Sequence, residues 1–591
     1  MRGMRMGVML GRWAAAVAAG AVLSLAYPRW NLGGVVWLGL LPLLAVVWTV
    51  GGRRAGWRGF GLGWLAGAAF FGLNLAWLWT VTGLGATLLG AYLALFWGAW
   101  GAWAATGGNP WRTDRPAPPG GGQRTALRLA FANAAVWAGL EWLRGWLLTG
   151  FGWNGLGVAF HDTPVLAQAA DLAGVAGLSV LPVFVQCVLL QAGRRIAGEA
   201  RRGRFGRQWD LLAALVVVGA VATYGVWRLA SEGRRPAVAV DVLLIQRNIP
   251  QDVKWNPLSA DELYQDYLGA TDAALGRLER RNEEAVRGAL AAGGEGATLA
   301  WPDLVAWPET ALPEPLWFLD GHGYPAEQLN AGFIDQAVLA GRGFTFVVGV
   351  NEMELERTAG GELVRKDGGR LFNSIALFPG RFAGATTYRK AHLVPFGEFI
   401  PLRTRLPVLE RAFKFSAGVD FGGDFDRGSS FEPLHATVDG RQVGILPAIC
   451  FEDTVGRLMR RFARGGPQLL VNLTNDGWFR HSAAAEQHLA NARFRCIELR
   501  RPMLRAANTG VSCLVDTAGS LADPAHPGGP QRAIRAADGS PFVAGELFGT
   551  LRVPEQAART PYVLAGDAPV AALGLLGLLA GRWRRPRGRG L

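Results

Sequence analysis

Long apolar stretches dominate the first 235 residues and return near the C-terminus, while the middle of the chain alternates short apolar runs with polar ones. Apolar stretches at 9–27, 33–50, 61–80, 85–105, 127–148, 172–193, 211–230 and 562–580 predict eight membrane spans. About 20 helical residues are needed to cross a hydrocarbon core of about 30 Å. Their Gly, Ala and Trp content suits close helix packing and interfacial anchoring. From Val238 the pattern changes to β-branched runs at Val238–Gln246, Asp303–Trp307, Thr345–Val350, Asn373–Phe378, Gln442–Ile449, Gln468–Leu473 and Val511–Asp516. Helical stretches at 259–292 and 484–500 alternate with them, which predicts a layered α/β domain. The expected organisation is a membrane domain at 1–235, an extramembrane α/β domain at 236–560, and an eighth span with a basic tail at 561–591.

Charge sharpens this division. Only 18% of the 591 residues are charged, against about 25% in soluble proteins. The net charge of +14 would by itself suggest nucleic acid. Yet residues 236–560 hold 34 Lys+Arg and 38 Asp+Glu, whereas the flanks hold 26 basic and 8 acidic residues. The basic excess therefore lies wholly in the apolar flanks, against a single soluble domain, a disordered chain or a nucleic-acid module.

With the N-terminus in the cytoplasm, alternate connections carry 21 arginines on the cytoplasmic side and one, Arg29, on the other. Such loop bias sets topology. It predicts cytoplasmic termini and an exported middle domain. The first span is expected to be a retained anchor rather than a signal peptide, because six more follow it directly. Glu141 and Arg144 lie one turn apart within a span, either as a functional pair or as an i,i+3 pair satisfying itself.

Three residues in the middle domain carry candidate chemistry. Cys450 ends the run from Gly444 and precedes Phe451-Glu452-Asp453, a helix-like stretch whose amides can stabilise a thiolate or an oxyanion. A small buried residue is the plain alternative. Lys390 stands out because the chain has 56 Arg and 4 Lys. Lys, unlike Arg, shifts its pKa readily on burial. Glu309 follows the apolar Leu304–Pro308 end, where desolvation raises a carboxylate towards general-base range. Both also admit an ordinary surface reading. Glu398 and Glu452 are secondary carboxylates near the Lys and the Cys. Cys187 falls in a span, while Cys496 and Cys513 are either buried thiols or a disulfide. No CxxC, Cys/His cluster, P-loop or dinucleotide motif occurs, so no metal or cofactor is expected.

Taken together, Trp307-Pro-Glu309-Thr, Tyr388-Arg-Lys390 with Pro395-Phe-Gly-Glu398, Cys450-Phe-Glu452 and Val471-Asn-Leu-Thr-Asn475-Asp-Gly-Trp478 resemble the nitrilase, or carbon–nitrogen hydrolase, superfamily. That resemblance covers roughly 238–550 and implies an α-β-β-α sandwich with a Glu–Lys–Cys triad. Its fusion to membrane spans resembles the apolipoprotein N-acyltransferases of the bacterial inner membrane. This second resemblance extends to Gln246–Gln251, Lys254-Trp255 and Phe372-Asn373-Ser374. Phe451 departs from it, since Tyr is expected there.

The resemblance implies that Glu309 is the general base, Cys450 the nucleophile, and Lys390 with the Phe451 amide the oxyanion donors. Glu398, Glu452 and Asn475 would support the site, and Trp255, Asn373 and Trp478 would bind substrate. The acyl donor would be a phospholipid and the acceptor the α-amine of an S-diacylglyceryl-cysteine on an apolipoprotein. The enzyme would be a monomer in the inner membrane with its catalytic domain in the periplasm. Segment 399–425, with Phe399, Ile400, Leu402, Leu406, Phe413 and Phe415, is expected to form a mobile lid facing the bilayer. A membrane-anchored amidase using the same triad, or a non-catalytic lipoprotein-binding scaffold, are the alternatives.

Overall fold

The computed structural model describes residues 2–112, 122–203, 205–256, 259–292, 299–408, 410–411, 424–522 and 531–582. The chain divides into two compact units, one of residues 1–231 with 559–591 and one of 232–558.

The first unit is helical. Helical segments occur in all eight predicted apolar stretches, but 33–50 is a 3-10 turn Gly33–Trp37 followed by Leu41–Trp48, 172–193 is broken at Ser179 into Ala170–Leu178 and Val180–Ala200, and 562–580 is split into Pro561–Ala565 and Ala568–Arg582. Among the described residues, four helices are long and apolar enough to cross a membrane, namely Met6–Ser24, Gly83–Ala105, Val180–Ala200 and Trp209–Glu232. Glycine sets the closest approach. A Cβ on Gly63 of the helix Ala55–Asn74 would lie 2.2 Å from the Trp97 carbonyl oxygen. Gly59 meets Gly101 in the same way one turn earlier. A small-residue stripe of this kind lets backbones touch where lipid offers no hydrophobic drive.

Glu141 and Arg144 do not pair with each other among the described residues. Glu141 Oε1 accepts from Trp137 Nε1 at 2.8 Å and from the Leu156 amide at 2.9 Å, and Oε2 accepts from Ser179 Oγ. Arg144 donates to the carbonyls of Trp153 at 2.8 Å and Gly152 at 3.3 Å. Both side chains thus satisfy the irregular backbone of 152–156, buried from Trp153 onward, which would otherwise leave polar groups unpaired in an apolar unit. Of the two readings the sequence leaves open, the self-satisfied i,i+3 pair is not the one the structure shows.

The second unit has four layers. Its first sheet runs in the order β13–β1–β2–β4–β6–β7, with β3 and β5 also paired to β4. The ranges are β1 Ala237–Gln246, β2 Leu304–Trp307, β3 Leu316–Leu319, β4 Thr345–Arg357, β5 Leu363–Arg365, β6 Leu371–Pro379, β7 Thr386–Arg389 and β13 Gly545–Pro554. The second sheet runs β12–β11–β10–β9–β8, from β8 Leu434–Val438, β9 Arg441–Ile449, β10 Gln468–Thr474, β11 Met503–Ala507 and β12 Cys513–Val515.

Strands β9, β10 and β11 are parallel, and β10 and β11 are buried throughout. Burial on both faces is why they do not alternate apolar and polar positions strictly. Helix Ala260–Ala291 covers the first sheet, burying Leu263, Tyr267 and Leu275 in a core with Val305, Trp307 and Phe346. Helix Ala484–Leu499 is buried along nearly its whole length against the second sheet.

The sequence pattern missed β13, which pairs antiparallel with β1 from Ala237↔Pro554 to Gln246↔Gly545. Gly545 and Gly549 interrupt its apolar periodicity, and its partner lies some 300 residues away. It also missed β8 and β11. Of the expected lid, residue 409 and residues 412–423, including Phe413 and Phe415, lie outside the described residues. In the described part Ile400 is buried, whereas Leu402, Leu406 and Val408 are exposed among turns.

Candidate active site

Each candidate side chain sits just beyond the C-terminal end of a strand, where ligands bind in open α/β sheets. Glu309 follows β2. Its backbone is held from two sides. A Cβ on Gly349 beneath it would come within 2.5 Å of the Glu309 Cα. Opposite, Lys254 Nζ donates to the carbonyls of Glu309 at 3.0 Å and Thr310 at 2.9 Å. Thr310 itself takes a left-handed conformation, with φ 46°. Lys254 is buried, and that burial pulls its pKa down to about 8 against the opposing Glu309 charge. The sequence reading quoted Lys254 without giving it a role. Its clue was that it is another of the rare lysines.

Lys390 follows β7. Strand alternation sends Arg389 to one face and Lys390 to the other. Arg389 pairs with Glu352 at 2.7 Å, while Lys390 Nζ is buried and donates to Glu398 Oε1 at 2.8 Å. Asn373, on β6, donates from one amide nitrogen to Glu309 Oε1 at 2.9 Å and to Glu398 Oε1 at 3.0 Å. The site therefore has a core of two carboxylates, one ammonium and one bridging amide. Burial raises the Glu309 pKa, and Glu398 adds to that, whereas Lys390, Asn373 and Lys254 oppose it. Burial alone would lower the Lys390 pKa, but Glu398 and Glu309 outweigh it and raise it, so Lys390 is firmly cationic.

Cys450 follows β9 with φ 51°, a strained conformation for a residue with a Cβ. Asn472 Nδ2 donates to its carbonyl at 3.0 Å. The five-residue turn Cys450–Thr454 is a 3-10 helix rather than the opening of an α-helix. Although the residue is partly exposed, burial of the thiol pushes its pKa up, Glu309 adds to this, and Lys390 opposes it. Burial and the neighbouring Glu309 charge therefore favour the thiol form of Cys450 over the thiolate.

Glu452 joins the Cys450 turn to the Lys390 loop. Its Oε1 accepts from Tyr388 Oη at 2.9 Å and from the amides of Ala391 at 2.9 Å and His392 at 2.8 Å. Its Oε2 accepts from the Ile449 amide at 2.9 Å. Burial lifts its pKa to about 7, with Lys390 and these donors pulling the other way. Glu452→Gln would turn an amide N–H against one of those N–H donors. A stability loss of about 1–3 kcal/mol is expected, together with slower Cys450 acylation. Thermal unfolding in detergent checks this, and an unchanged midpoint would refute the tether.

Phe451 stacks on His392 at 6.1 Å between ring centroids, so a neutral ring pair fills the place where Tyr was expected. Burial first, then Arg457, Lys390 and Arg427, lowers the His392 pKa to about 4. Asn475 caps the 3-10 turn Asp476–Phe479 by accepting from the Gly477 amide at 3.2 Å. Trp478 on that turn lies 6.2 Å from Trp255, and both rings are about half exposed. Cys496 and Cys513 are buried free thiols, not a disulfide. Among the described residues no cluster of His, Cys, Asp and Glu is arranged to hold a metal ion.

Two family models match the chain: the apolipoprotein N-acyltransferase N-terminal domain over residues 19–188 and carbon–nitrogen hydrolase over 282–535. An apolipoprotein N-acyltransferase from Geobacter metallireducens is 32% identical over 86% of this chain and 85% of its own. One from Rhodopseudomonas palustris is 30% identical over 97% and 95%. Among solved structures, an amidase from Nesterenkonia sp. aligns at 15% identity over 56% of this chain and 95% of its own, with a TM-score of 0.28, too weak an agreement to argue from.

Proposed function

The chain belongs to the apolipoprotein N-acyltransferase family, and from that premise we propose that it moves an acyl chain from a membrane phospholipid, through a Cys450 thioester, to the N-terminus of a lipoprotein. The observation that carries this reading is the buried Glu309–Asn373–Glu398–Lys390 constellation beside a strained thiol.

Glu309 takes the thiol proton, and the sulfur attacks the ester carbonyl of the phospholipid. Lys390 and the Phe451 amide stabilise the oxyanion that forms. Collapse of the intermediate breaks the ester C–O bond. Glu309 returns the proton to the departing alkoxide, lysophospholipid leaves, and a thioester remains. The α-amine of the S-diacylglyceryl-cysteine then attacks the thioester. Glu309 accepts the amine's proton and passes it to the sulfur as the amide forms.

Asn373 and Glu398 orient the base and the ammonium rather than touching the acyl group. Glu452 holds the Lys390 loop against the Cys450 turn. Trp255 and Trp478, tilted against each other and half exposed, offer an apolar wall for lipid chains, and exposed Leu402, Leu406 and Val408 offer further apolar surface.

The flanking arginines favour eight spans over residues 1–235 and 561–591, cytoplasmic termini and a periplasmic catalytic domain at 236–560, in the inner membrane. The protein is read as a monomer that needs no cofactor. Incubating the purified protein with phospholipid of defined chain length tests the function. The expected product is Cys450 heavier by that acyl chain, released by hydroxylamine and absent in Cys450→Ala. An amidase reading would instead be favoured by turnover of small amides with no acyl-enzyme from phospholipid.

A further inference from the structure

Behind the Cys450 turn lies a set of buried charges that the transfer chemistry does not use. His488, from the helix Ala484–Leu499, presents Nε2 to Asp453 Oδ1 at 2.9 Å and Nδ1 to Asp476 Oδ1 at 2.7 Å. Arg505 of β11 donates to Asp476 Oδ2 at 3.2 Å and lies 3.6 Å from Asp453 Oδ2. All four side chains are at most 2% exposed. Asp453 belongs to the turn that begins at Cys450, and Asp476 to the turn that carries Trp478.

The hydrogen-bond chemistry decides the state of the ring. A neutral imidazole has one N–H and one lone pair, so one nitrogen would face a carboxylate with no proton between them. Both nitrogens here meet carboxylate oxygens, which, with both carboxylates ionised, only the doubly protonated ring satisfies. With His488 charged, two cations balance two carboxylates. With it neutral, one net negative charge remains buried, a costly arrangement in a site closed to water.

That residual charge would matter to catalysis, because Asp476 already acts on Cys450 and disfavours its thiolate. We propose that His488 is a positioning residue held as an imidazolium, whose charge cancels the buried carboxylates behind Cys450 and so keeps that thiol reactive. The inference rests on Cys450 being the nucleophile.

The groups facing the ring agree with this. Burial would drive the ring neutral, but Asp453 and Asp476 outweigh both it and the repulsion from Arg505, lifting the His488 pKa to about 9. For the Asp476 carboxyl, burial alone would raise the pKa, yet His488 and Arg505 together hold it below its ordinary value. The folded His488 pKa is thus raised above the free value of about 6.5. The stabilisation it supplies is complete below that value and is lost as pH climbs through about 9.

The test uses the full-length protein in detergent and measures the rate of Cys450 alkylation by iodoacetamide, read by peptide mass from pH 6 to 10. No lipid is needed, so the outcome is separate from that of the acyl-enzyme experiment. His488→Gln is expected to alkylate about tenfold more slowly at pH 8, one added unit of net negative charge acting through a partly screened interior. The double variant His488→Gln/Asp453→Asn restores the balance and is expected to recover most of that loss. A purely structural role would make the double variant worse than the single.

If His488→Gln does not fold, Asp453→Asn alone leaves an excess of positive charge and should alkylate faster than the wild type at pH 7. Wild-type alkylation in His488→Gln, a double variant slower than the single, or no acceleration in Asp453→Asn would each overturn the proposal.

Discussion

Glu309→Gln is expected to slow acyl-enzyme formation by about 10²- to 10⁴-fold, the range for loss of a positioned general base, with the fold intact. The substitution changes little besides the proton acceptor. Glu309 Oε1 accepts from Asn373 Nδ2, and a glutamine carbonyl oxygen can accept the same bond. The backbone clamp from Lys254 acts on carbonyls that the substitution leaves in place. What is lost is the only step that turns the resting thiol into a thiolate, and burial has made that thiol reluctant to ionise.

The pH profile follows from the same groups. Burial raises the Glu309 pKa, and the base works only when ionised. The wild-type acylation rate should therefore climb with pH through a midpoint above the ordinary value of about 4.3. Glu309→Gln should lack that limb. Single-turnover acylation with a labelled phospholipid measures both, and a variant within a few fold of the wild type would remove Glu309 from the role of base.

Lys390→Met should cost about 10²- to 10³-fold in the same step, the price of losing one preorganised oxyanion donor. This side chain is buried and paired with Glu398 at 2.8 Å, so its removal also strands a carboxylate. Breaking a buried pair destabilises by about 3–5 kcal/mol, and a loss of activity alone would be ambiguous. The double variant Lys390→Met/Glu398→Gln separates the two effects. It removes the stranded charge and is expected to recover most of the unfolding midpoint while staying as slow as the single variant. Recovery of rate along with stability would refute the oxyanion role. Lys390 is also the largest influence lowering the Glu309 pKa. The acid limb of any residual activity should therefore shift to higher pH in Lys390→Met.

Much of the site was legible because its residues come with local signatures. Glu309 and Cys450 each follow a short apolar strand and Lys390 follows the strand Thr386–Arg389, and each strand end is a feature of a few consecutive residues. The rarity of lysine singles out Lys390 from sequence alone, whereas Lys254 enters only through the family resemblance. Roles that depend on contact across the fold were not legible. The resemblance casts Asn373 as a substrate-binding residue, and the fold adds that its amide bridges two carboxylates that arrive from positions 309 and 398. Glu452 looks like a residue tidying its own turn, but three of its four donors come from 388–392. His488 matched no ligand spacing, because its partners at 453, 476 and 505 are brought in by three other elements.

By itself the sequence determined the division into apolar flanks and a charged α/β middle, the helical stretches of the flanks and the principal strands of the sheets. These depend on hydrophobic periodicity and on charge bias, which are properties of neighbouring residues. Only the tertiary structure decided how burial and the Glu309 charge weigh on the Cys450 thiol, that β13 pairs beside β1, and that Glu141 and Arg144 serve the backbone rather than each other. Burial, strand pairing and hydrogen-bond partners are set by groups distant along the chain. A pKa or a bond in a closed interior depends on all of them at once.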